Sequence, residues 1–203
     1  MNKIFLFSLI IYFSTCSIYG QEYQYKELTD EKVYSSLEEA LLEPENVFRL
    51  KLKRCKKCDS LPEEIFQLTQ LQELTVSKLK LKKINSNISQ LKNLKYLNIS
   101  RNKLTSLPET IGNLTELCTL IINRNKITEL PSSISNLKKL TLIDAWDNPL
   151  YVLPPSIIEL APTLKEIDLR QVPLRDTELE EMERLLPNTK IKYTSICECQ
   201  DNR

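Results

Sequence analysis

Residues 94–116 have the sequence LKYLNISRNKLTSLPETIGNLTE, and residues 117–139 repeat its pattern as LCTLIINRNKITELPSSISNLKK. A third copy starts at Leu140 with LTLIDAWDNPLYVLP. If the first leucine of each copy is position 1, apolar residues recur at positions 4, 6, 11, 14, 18 and 21, with asparagine at position 9 and proline at position 15. This 23-residue period predicts a solenoid in which each repeat packs mainly on its neighbours.

Each part of the pattern has a physical role. The alternation of apolar and polar residues around positions 4 and 6 predicts a short strand with one buried face. We expect the position-9 asparagines, Asn102, Asn125 and Asn148, to turn the chain and to bond backbone groups that would otherwise be buried without partners. Proline at position 15 predicts an extended residue before it. The apolar residues at positions 18 and 21 then close the core from the side opposite the strands.

The pattern resembles the leucine-rich repeat family, whose period is roughly 20 to 29 residues and whose consensus is L-x-x-L-x-L-x-x-N-x-L. The stretch SLEEALLEPENVFRLKL at residues 36–52 resembles the N-terminal segment of exported bacterial members. The resemblance implies an α/β fold, a right-handed solenoid with about six parallel strands on a concave sheet and helical caps at both ends. It also implies a non-enzymatic recognition module whose partner the fold does not specify.

Less regular repeats extend the pattern over residues 47–175. The first repeat has Cys55 where asparagine is expected, and the second has Leu79 there. A sixth strand is predicted to begin at Leu164, after which the pattern is lost.

Caps are predicted on both sides of the repeats, because a solenoid otherwise exposes a half-built core at its ends. Ser35 to Glu38 has the form of a capping box and predicts a helix within an N-terminal cap over residues 21–46. Thr177 to Glu180 likewise predicts a helix within a C-terminal cap and tail over residues 176–203. Ile191 to Tyr193 fit an added edge strand.

Residues 1–20 have the composition of an export signal: Lys3 precedes an apolar run that ends at Phe13, and cleavage is expected before Gln21. The apolar run is too short to span a bilayer core of roughly 30 Å. The alternative is lipoprotein processing at Cys16, although Phe13 stands where a lipobox has leucine. The protein is therefore expected in the periplasm, at the cell surface or in the medium, with membrane attachment only through Cys16.

The composition excludes several kinds of chemistry. The 203-residue chain has no histidine and only two glycines, which excludes histidine-based nucleophile pairs, histidine zinc sites and glycine-rich phosphate loops. A net charge of +1 gives no global attraction to nucleic acid or to a membrane. We therefore expect no enzyme activity and no cofactor, and a monomer that binds a protein or another macromolecule. The alternatives are a structural or adhesion-supporting protein of the cell envelope and, more remotely, a carboxylate-based hydrolase.

The predicted concave face consists of positions 3, 5 and 7 of each repeat, with position 8 at its edge. Four apolar residues on three neighbouring strands form its centre, which we call the apolar patch: Tyr96, Ile121, Leu142 and Trp146. Exposed aromatic residues on such a surface are typical of binding hot spots. The alternative is that they are ordinary exposed apolar residues, and that Trp146 only carries a cation–π contact with Arg170.

Charged residues flank the apolar patch. Asp144 and Asp168 share one column on adjacent strands, and three interpretations follow: they hold a cation or basic partner, they form an acid–base pair, or Arg170 neutralises both, which we favour. On the other side, position 8 forms a basic edge of Arg54, Lys78, Arg101 and Arg124. This edge could contact phosphates or an acidic glycan, but a solvated rim is the favoured interpretation.

The cysteines do not predict a metal site. Cys197 and Cys199 lie about five strand steps, or 24 Å, from Cys55 and Cys58, which is too far for one zinc ion. A local Cys55–Cys58 disulfide fits an oxidising compartment. Cys118 is expected to be a packed free thiol.

Export can be tested by the intact mass of protein purified from its native cell. We expect a chain that begins at Gln21, because the signal is removed on translocation. Retention of Met1 would contradict export, and a diacylated Cys16 would assign the protein to the lipoproteins.

Overall fold

The structure is a computed structural model, and it describes residues 31–55 and 58–194. The predicted export signal, the cleavage site, Cys16, Cys197 and Cys199 lie outside the described residues.

A single sheet of parallel strands runs through the described residues, and each strand pairs with its neighbours in chain order. The strands are β1 (Val33–Tyr34), β2 (Arg49–Lys51), β3 (Glu73–Thr75), β4 (Tyr96–Asn98), β5 (Thr119–Ile121), β6 (Leu142–Asp144), β7 (Glu166–Leu169) and β8 (Lys190–Tyr193). The six predicted repeat strands correspond to β2 through β7. The strand β8 is the added edge strand that was predicted at Ile191 to Tyr193, whereas β1 was not predicted, and together they extend the described sheet to eight strands.

The return side of each repeat is a short 3₁₀ segment. These segments are Glu63–Gln67, Ser86–Gln90, Glu109–Asn113, Ser132–Asn136 and Pro155–Leu160. Proline precedes four of them with φ between −57° and −71°, and Asn85 precedes the remaining one. The Asn85 side chain accepts a hydrogen bond from the Asn87 N–H at 2.9 Å. Asn85 therefore starts this segment as a side-chain cap, in the place where the other repeats have proline.

The core is one continuous apolar column between the strands and the 3₁₀ segments. At position 4, Leu97, Leu120 and Ile143 are fully buried, and the leucine, isoleucine or alanine at position 6 is buried beside them. Because each repeat contributes the same positions, the side chains of neighbouring repeats stack in layers.

The position-9 asparagines form a buried hydrogen-bonded ladder between repeats. Asn125 Nδ2 donates to the carbonyls of Ile99 and Ile122, at 3.1 and 2.8 Å, and its Oδ1 accepts from Leu104 N at 3.1 Å. Asn102 and Asn148 bond in the same way. Each asparagine therefore satisfies backbone groups in its own repeat and in the one before it.

The caps differ from the predicted ones in their boundaries. The helix α1 (Leu37–Ala40) has four residues, and its cap is Ser36 rather than Ser35, because Ser36 is the residue that accepts from Glu39 N. The helix α2 (Asp176–Leu185) begins before the predicted Thr177.

The helix α2 starts earlier because Glu178, rather than Glu180, reaches back to the preceding backbone. Its Oε2 accepts from Arg175 N at 3.0 Å. The buried face of α2 includes Leu179 and Met182, and Leu186 follows it into the core. Lys190–Tyr193 then pairs with β7 as the added strand.

The structure joins Cys55 to Cys58, whose Cα atoms are 5.6 Å apart. Cys118 is disulfide-bonded as well, so the expectation of a free thiol was wrong. The described residues contain no helix with the length and hydropathy needed to cross a membrane.

The asparagine ladder predicts a measurable contribution to stability. Asn125→Ala should destabilise the protein by about 1 to 3 kcal/mol, because it leaves three buried backbone groups without their partner. Leu120→Ala should cost about 2 to 5 kcal/mol by opening a cavity in the core. Urea unfolding followed by circular dichroism measures both.

The matched control is Asn136→Ala, because Asn136 is exposed and its loss should change stability by less than about 0.5 kcal/mol. Equal urea midpoints for Asn125→Ala and Asn136→Ala would show that the ladder adds no stability.

Candidate functional site

The strand register builds the concave face from two columns of side chains. Position 3 contributes Arg49, Glu73, Tyr96, Thr119, Leu142, Glu166 and Lys190. Position 5 contributes Lys51, Thr75, Asn98, Ile121, Asp144, Asp168 and Lys192. The face changes from basic to apolar to acidic along the repeats, as the sequence suggested. The strand β8 then adds two lysines beyond the acidic part, and both pair with Glu166.

The apolar patch is smaller than the sequence suggested. Tyr96, Ile121 and Trp146 are half-buried and present part of their surface to solvent. Leu142 is only 8% exposed, which corrects its expected role as a contact residue. It lies between Thr119 and Glu166 on strands about 4.8 Å apart, so flanking side chains leave little of it accessible.

Trp146 is held by arginines from the repeats on both sides. The Cζ atom of Arg124 lies 4.2 Å from the centroid of the Trp146 ring, and that of Arg170 lies 5.9 Å from it. The sequence pointed only to Arg170, yet Arg124 is the closer cation. The backbone explains the contact: Arg124 has φ 53°, and its N–H donates to the Trp146 carbonyl at 2.8 Å.

The Arg124 guanidinium is largely committed to this stacking. Its Nε is buried and has no hydrogen-bond partner among the described residues, and Asp147 Oδ2 lies 3.8 Å away. A cation held over an indole contributes roughly 0.5 to 2 kcal/mol and restrains both side chains. Trp146 is therefore an aromatic group of the concave face whose orientation is restrained by the two arginines. The other expected binding residue of the basic edge, Arg101, is exposed one repeat earlier.

The two aspartates have different partners. Arg170 binds Asp168 with Nε at 3.0 Å from Oδ1 and Nη2 at 2.7 Å from Oδ2. Asp144 instead accepts from Asn123 Nδ2 at 2.5 Å and from Trp146 N at 3.3 Å. The expectation that Arg170 neutralises both aspartates holds directly for Asp168 only. Arg170 acts on Asp144 through its charge, which lowers the pKa of Asp144 against the larger effect of burial, and the hydrogen-bond donors to Asp144 are Asn123 and Trp146.

Burial raises the pKa of Asp144, and the nearby Asp168 charge adds to the effect, while the hydrogen bonds from Asn123 and Trp146 oppose it. The bidentate arginine occupies the Asp168 carboxylate, so that carboxylate is not positioned as a free base. The described residues contain no cluster of three or more acidic or cysteine side chains suited to hold a metal ion.

The structure also contains a cavity that the sequence did not reveal. Its volume is about 670 Å³, and its charged lining includes Lys53, Arg54, Lys78, Lys80, Lys82 and Lys103. We call it the basic cavity. Only Arg54 and Lys78 belong to the predicted basic edge. The missed signal was the lysine at position 10 of three consecutive repeats, Lys80, Lys103 and Lys126.

Comparisons with known proteins agree with this geometry. A family profile described as "Leucine-rich repeat region" matches residues 85–192, which is more than half of the chain. No curated protein sequence matches it. Among solved structures, a leucine-rich repeat protein of Leptospira interrogans superposes with a TM-score of 0.59 at 26% identity, covering 80% of this chain and 54% of that one.

Two other solved structures share the fold. An internalin of Listeria monocytogenes has a TM-score of 0.57 at 19% identity, covering 74% of this chain and 42% of its own. The ectodomain of the receptor kinase GASSHO1/SCHENGEN3 of Arabidopsis thaliana, solved with CASPARIAN STRIP INTEGRITY FACTOR 2, has a TM-score of 0.59 at 22% identity, covering 80% and 22%. The chain therefore spans about half the length of the Leptospira structure and less of the other two.

The environment of Asp144 predicts a pH-dependent stability. The folded-state pKa of Asp144 is raised, so its ionisation opposes folding, and Asp144→Asn should raise the melting temperature near neutral pH. The stability of the wild type rises as the pH falls through the folded-state pKa of Asp144, because the carboxylate becomes protonated. The rise is complete below the pKa of aspartate in the unfolded chain, about 3.9. The difference in melting temperature should therefore shrink on acidification.

Asp168→Asn is the matched control and should lower the melting temperature near neutral pH, because it disrupts the Arg170 pair. If Asp144→Asn lowers the melting temperature by a similar amount, the hydrogen bonds to the Asp144 carboxylate stabilise the fold more than its burial destabilises it.

Proposed function

The chain belongs to the leucine-rich repeat family, and we propose that it is a non-enzymatic recognition module that binds a protein on its concave face outside the cytoplasm. Leucine-rich repeat proteins are typically protein-binding modules, and the plant ectodomain with the same fold was solved in complex with CASPARIAN STRIP INTEGRITY FACTOR 2. The fold does not identify the partner of this chain.

The arrangement around Trp146 is the observation that carries the proposal. The ring is half-exposed and stacked by Arg124, so it presents a large contact area that loses little freedom on binding. Ile121 lies one strand away on the same face, and Tyr96 lies two strands away. Tryptophan and tyrosine at the centre of a surface are the residues that most often carry binding energy.

The charges around the patch would orient the partner. Arg101 and Arg124 lie on one side, and Asp144, Asp168 and Arg170 on the other. A partner with the opposite polarity would be steered into one orientation, since rim charges affect the association rate more than the affinity.

Two observations support a location outside the cytoplasm. The disulfide between Cys55 and Cys58 is of the kind that persists in an oxidising compartment. The fold neighbours include an internalin and a receptor ectodomain. Together with the composition of residues 1–20, they favour export.

The concave face can be tested without a known partner by selecting phage-displayed peptides on the immobilised protein. Trp146→Ala should weaken the selected peptides by about 2 kcal/mol, or roughly 30-fold in Kd, as expected of a hot spot. Titration of fluorescein-labelled peptides by anisotropy gives these constants.

Tyr151→Ala is the matched control, because Tyr151 is a 63% exposed aromatic residue outside the concave face. Its removal should leave Kd within about twofold. If the selected peptides bind Trp146→Ala as tightly as the wild type but no longer bind Tyr151→Ala, the binding site is not on the concave face. Failure to select any binding peptide would favour the structural role in the cell envelope.

A further inference from the structure

A second surface of the protein carries charge without compensation. Within residues 31–55 and 58–194, Lys82 is the only cation of the basic cavity that forms an ion pair, at 3.0 Å from Asp59 Oδ2. Asp59 is also the only acidic residue among those lining the cavity. A concave surface lined by charges of one sign concentrates its electrostatic potential and attracts ions of the opposite sign.

The cavity belongs to two rows of cations that follow the repeats. The position-8 row is Arg54, Lys78, Arg101 and Arg124, and the position-10 row is Lys80, Lys103 and Lys126. Both rows end at the next repeat, which has Asp147 and Pro149 at these positions. The surface is therefore basic over the first repeats only, although the chain as a whole has a net charge of +1.

Backbone hydrogen bonds fix the spacing of the rows. Lys78 N donates to Ser100 O at 3.2 Å, one residue before Arg101, so the position-8 residues stack repeat on repeat. Lys103 N donates to Leu81 O at 2.7 Å, and Lys126 N donates to Leu104 O at 2.8 Å. Each row therefore presents one cation for about every 4.8 Å of solenoid length.

In the second repeat, two of these lysines have a strained backbone conformation. Lys78 and Lys80 have φ of 61° and 64°, a region in which residues with side chains are strained and glycine is not. Both residues are exposed, and neither contributes to the apolar core. Packing therefore gives no reason for lysine at these two positions.

We propose that the basic cavity and the two rows, without Arg124, which stacks on Trp146, bind a linear polysaccharide whose anionic groups recur along its chain. The regular spacing of the cations suits a polymer with repeating charges. Most of the cations are lysines, whose compact and well-hydrated ammonium groups can each meet a separate anionic group. The basic cavity is an open depression of about 670 Å³, a volume within the range of small-molecule sites and sufficient for a few sugar units.

The lining of the cavity argues against other polyanions. No aromatic residue lines it, whereas single-stranded nucleic acid sites combine cations with stacking aromatic rings. An acidic peptide would need apolar contacts, and the lining offers only the Cys55–Cys58 pair and the nearly buried Leu79. A flat membrane would contact protruding side chains rather than enter a cavity.

The test is the binding of the full chain to heparin, which carries sulfate groups, and to polygalacturonate, which carries only carboxylates. Isothermal titration at several salt concentrations should show binding of at least one of them, with an affinity that falls as salt rises. Lys80→Glu combined with Lys103→Glu should weaken it about tenfold or more and reduce the salt dependence. The polysaccharide that binds more tightly identifies the anionic group.

The matched control carries the same change of charge on the other side of the repeats, as Lys92→Glu combined with Lys138→Glu, both at exposed positions. It should change the affinity by less than about threefold. Neither pair lies in the core, so circular dichroism melting should show both double variants folded. The control should lose slightly more stability, because Lys138 pairs with Glu159 at 2.9 Å on the surface. A control that weakens binding as much as the test pair would overturn the site.

Three competitors test the class of ligand: single-stranded DNA, polyglutamate, and vesicles of phosphatidylcholine and phosphatidylglycerol. If any of them binds more tightly than both polysaccharides, or if neither polysaccharide binds, the proposal is wrong. Trp146→Ala should retain heparin or polygalacturonate binding, so failure of this proposal is distinct from failure of the concave-face proposal.

Discussion

The rest of the structure depends on the buried asparagine at position 9 of the central repeats. A parallel strand of three residues must turn away from the sheet at once, and the turn leaves carbonyl and N–H groups facing an apolar core. Asn102, Asn125 and Asn148 supply the missing donors and acceptors to their own repeat and to the preceding one. The same amide therefore closes one repeat and ties it to the preceding one, from the repeat of β3 to that of β6.

The ends of the ladder show what happens where asparagine is absent. Leu79 replaces it in the second repeat, and Asn102 from the third repeat then accepts from both Leu79 N and Leu81 N, at 3.0 and 3.2 Å. Cys55 replaces it in the first repeat, where the disulfide to Cys58 constrains the same turn covalently. The basic cavity lies between these two irregular repeats. It forms where both neighbouring turns lack the position-9 asparagine.

The sequence predicts the features that recur in every repeat better than the features that depend on one contact. Period, strand positions and register follow from the apolar pattern, because one buried face admits one register. The first residue of the helix α1 could not be predicted from the sequence, because Ser35 and Ser36 are chemically equivalent. Only the backbone geometry makes Ser36 the N-cap. The burial of Leu142 depends on neighbours across the sheet. The Arg124–Trp146 contact joins residues 22 positions apart. It depends on the left-handed backbone conformation of Arg124, which the sequence pattern did not predict.

That left-handed conformation connects the two surfaces of the protein. Lys78, Arg101, Arg124, Asp147 and Gln171 all have φ between 53° and 61°, because the turn before position 9 recurs from the second repeat to the sixth. Glycine would adopt it without the cost of about 1 kcal/mol for each side chain, yet neither of the two glycines lies there. The chain instead places lysine or arginine at this position in the second, third and fourth repeats. One of them stacks on Trp146, whereas Lys78 lines the basic cavity, so one backbone requirement of the repeat supplies charge to both candidate binding surfaces.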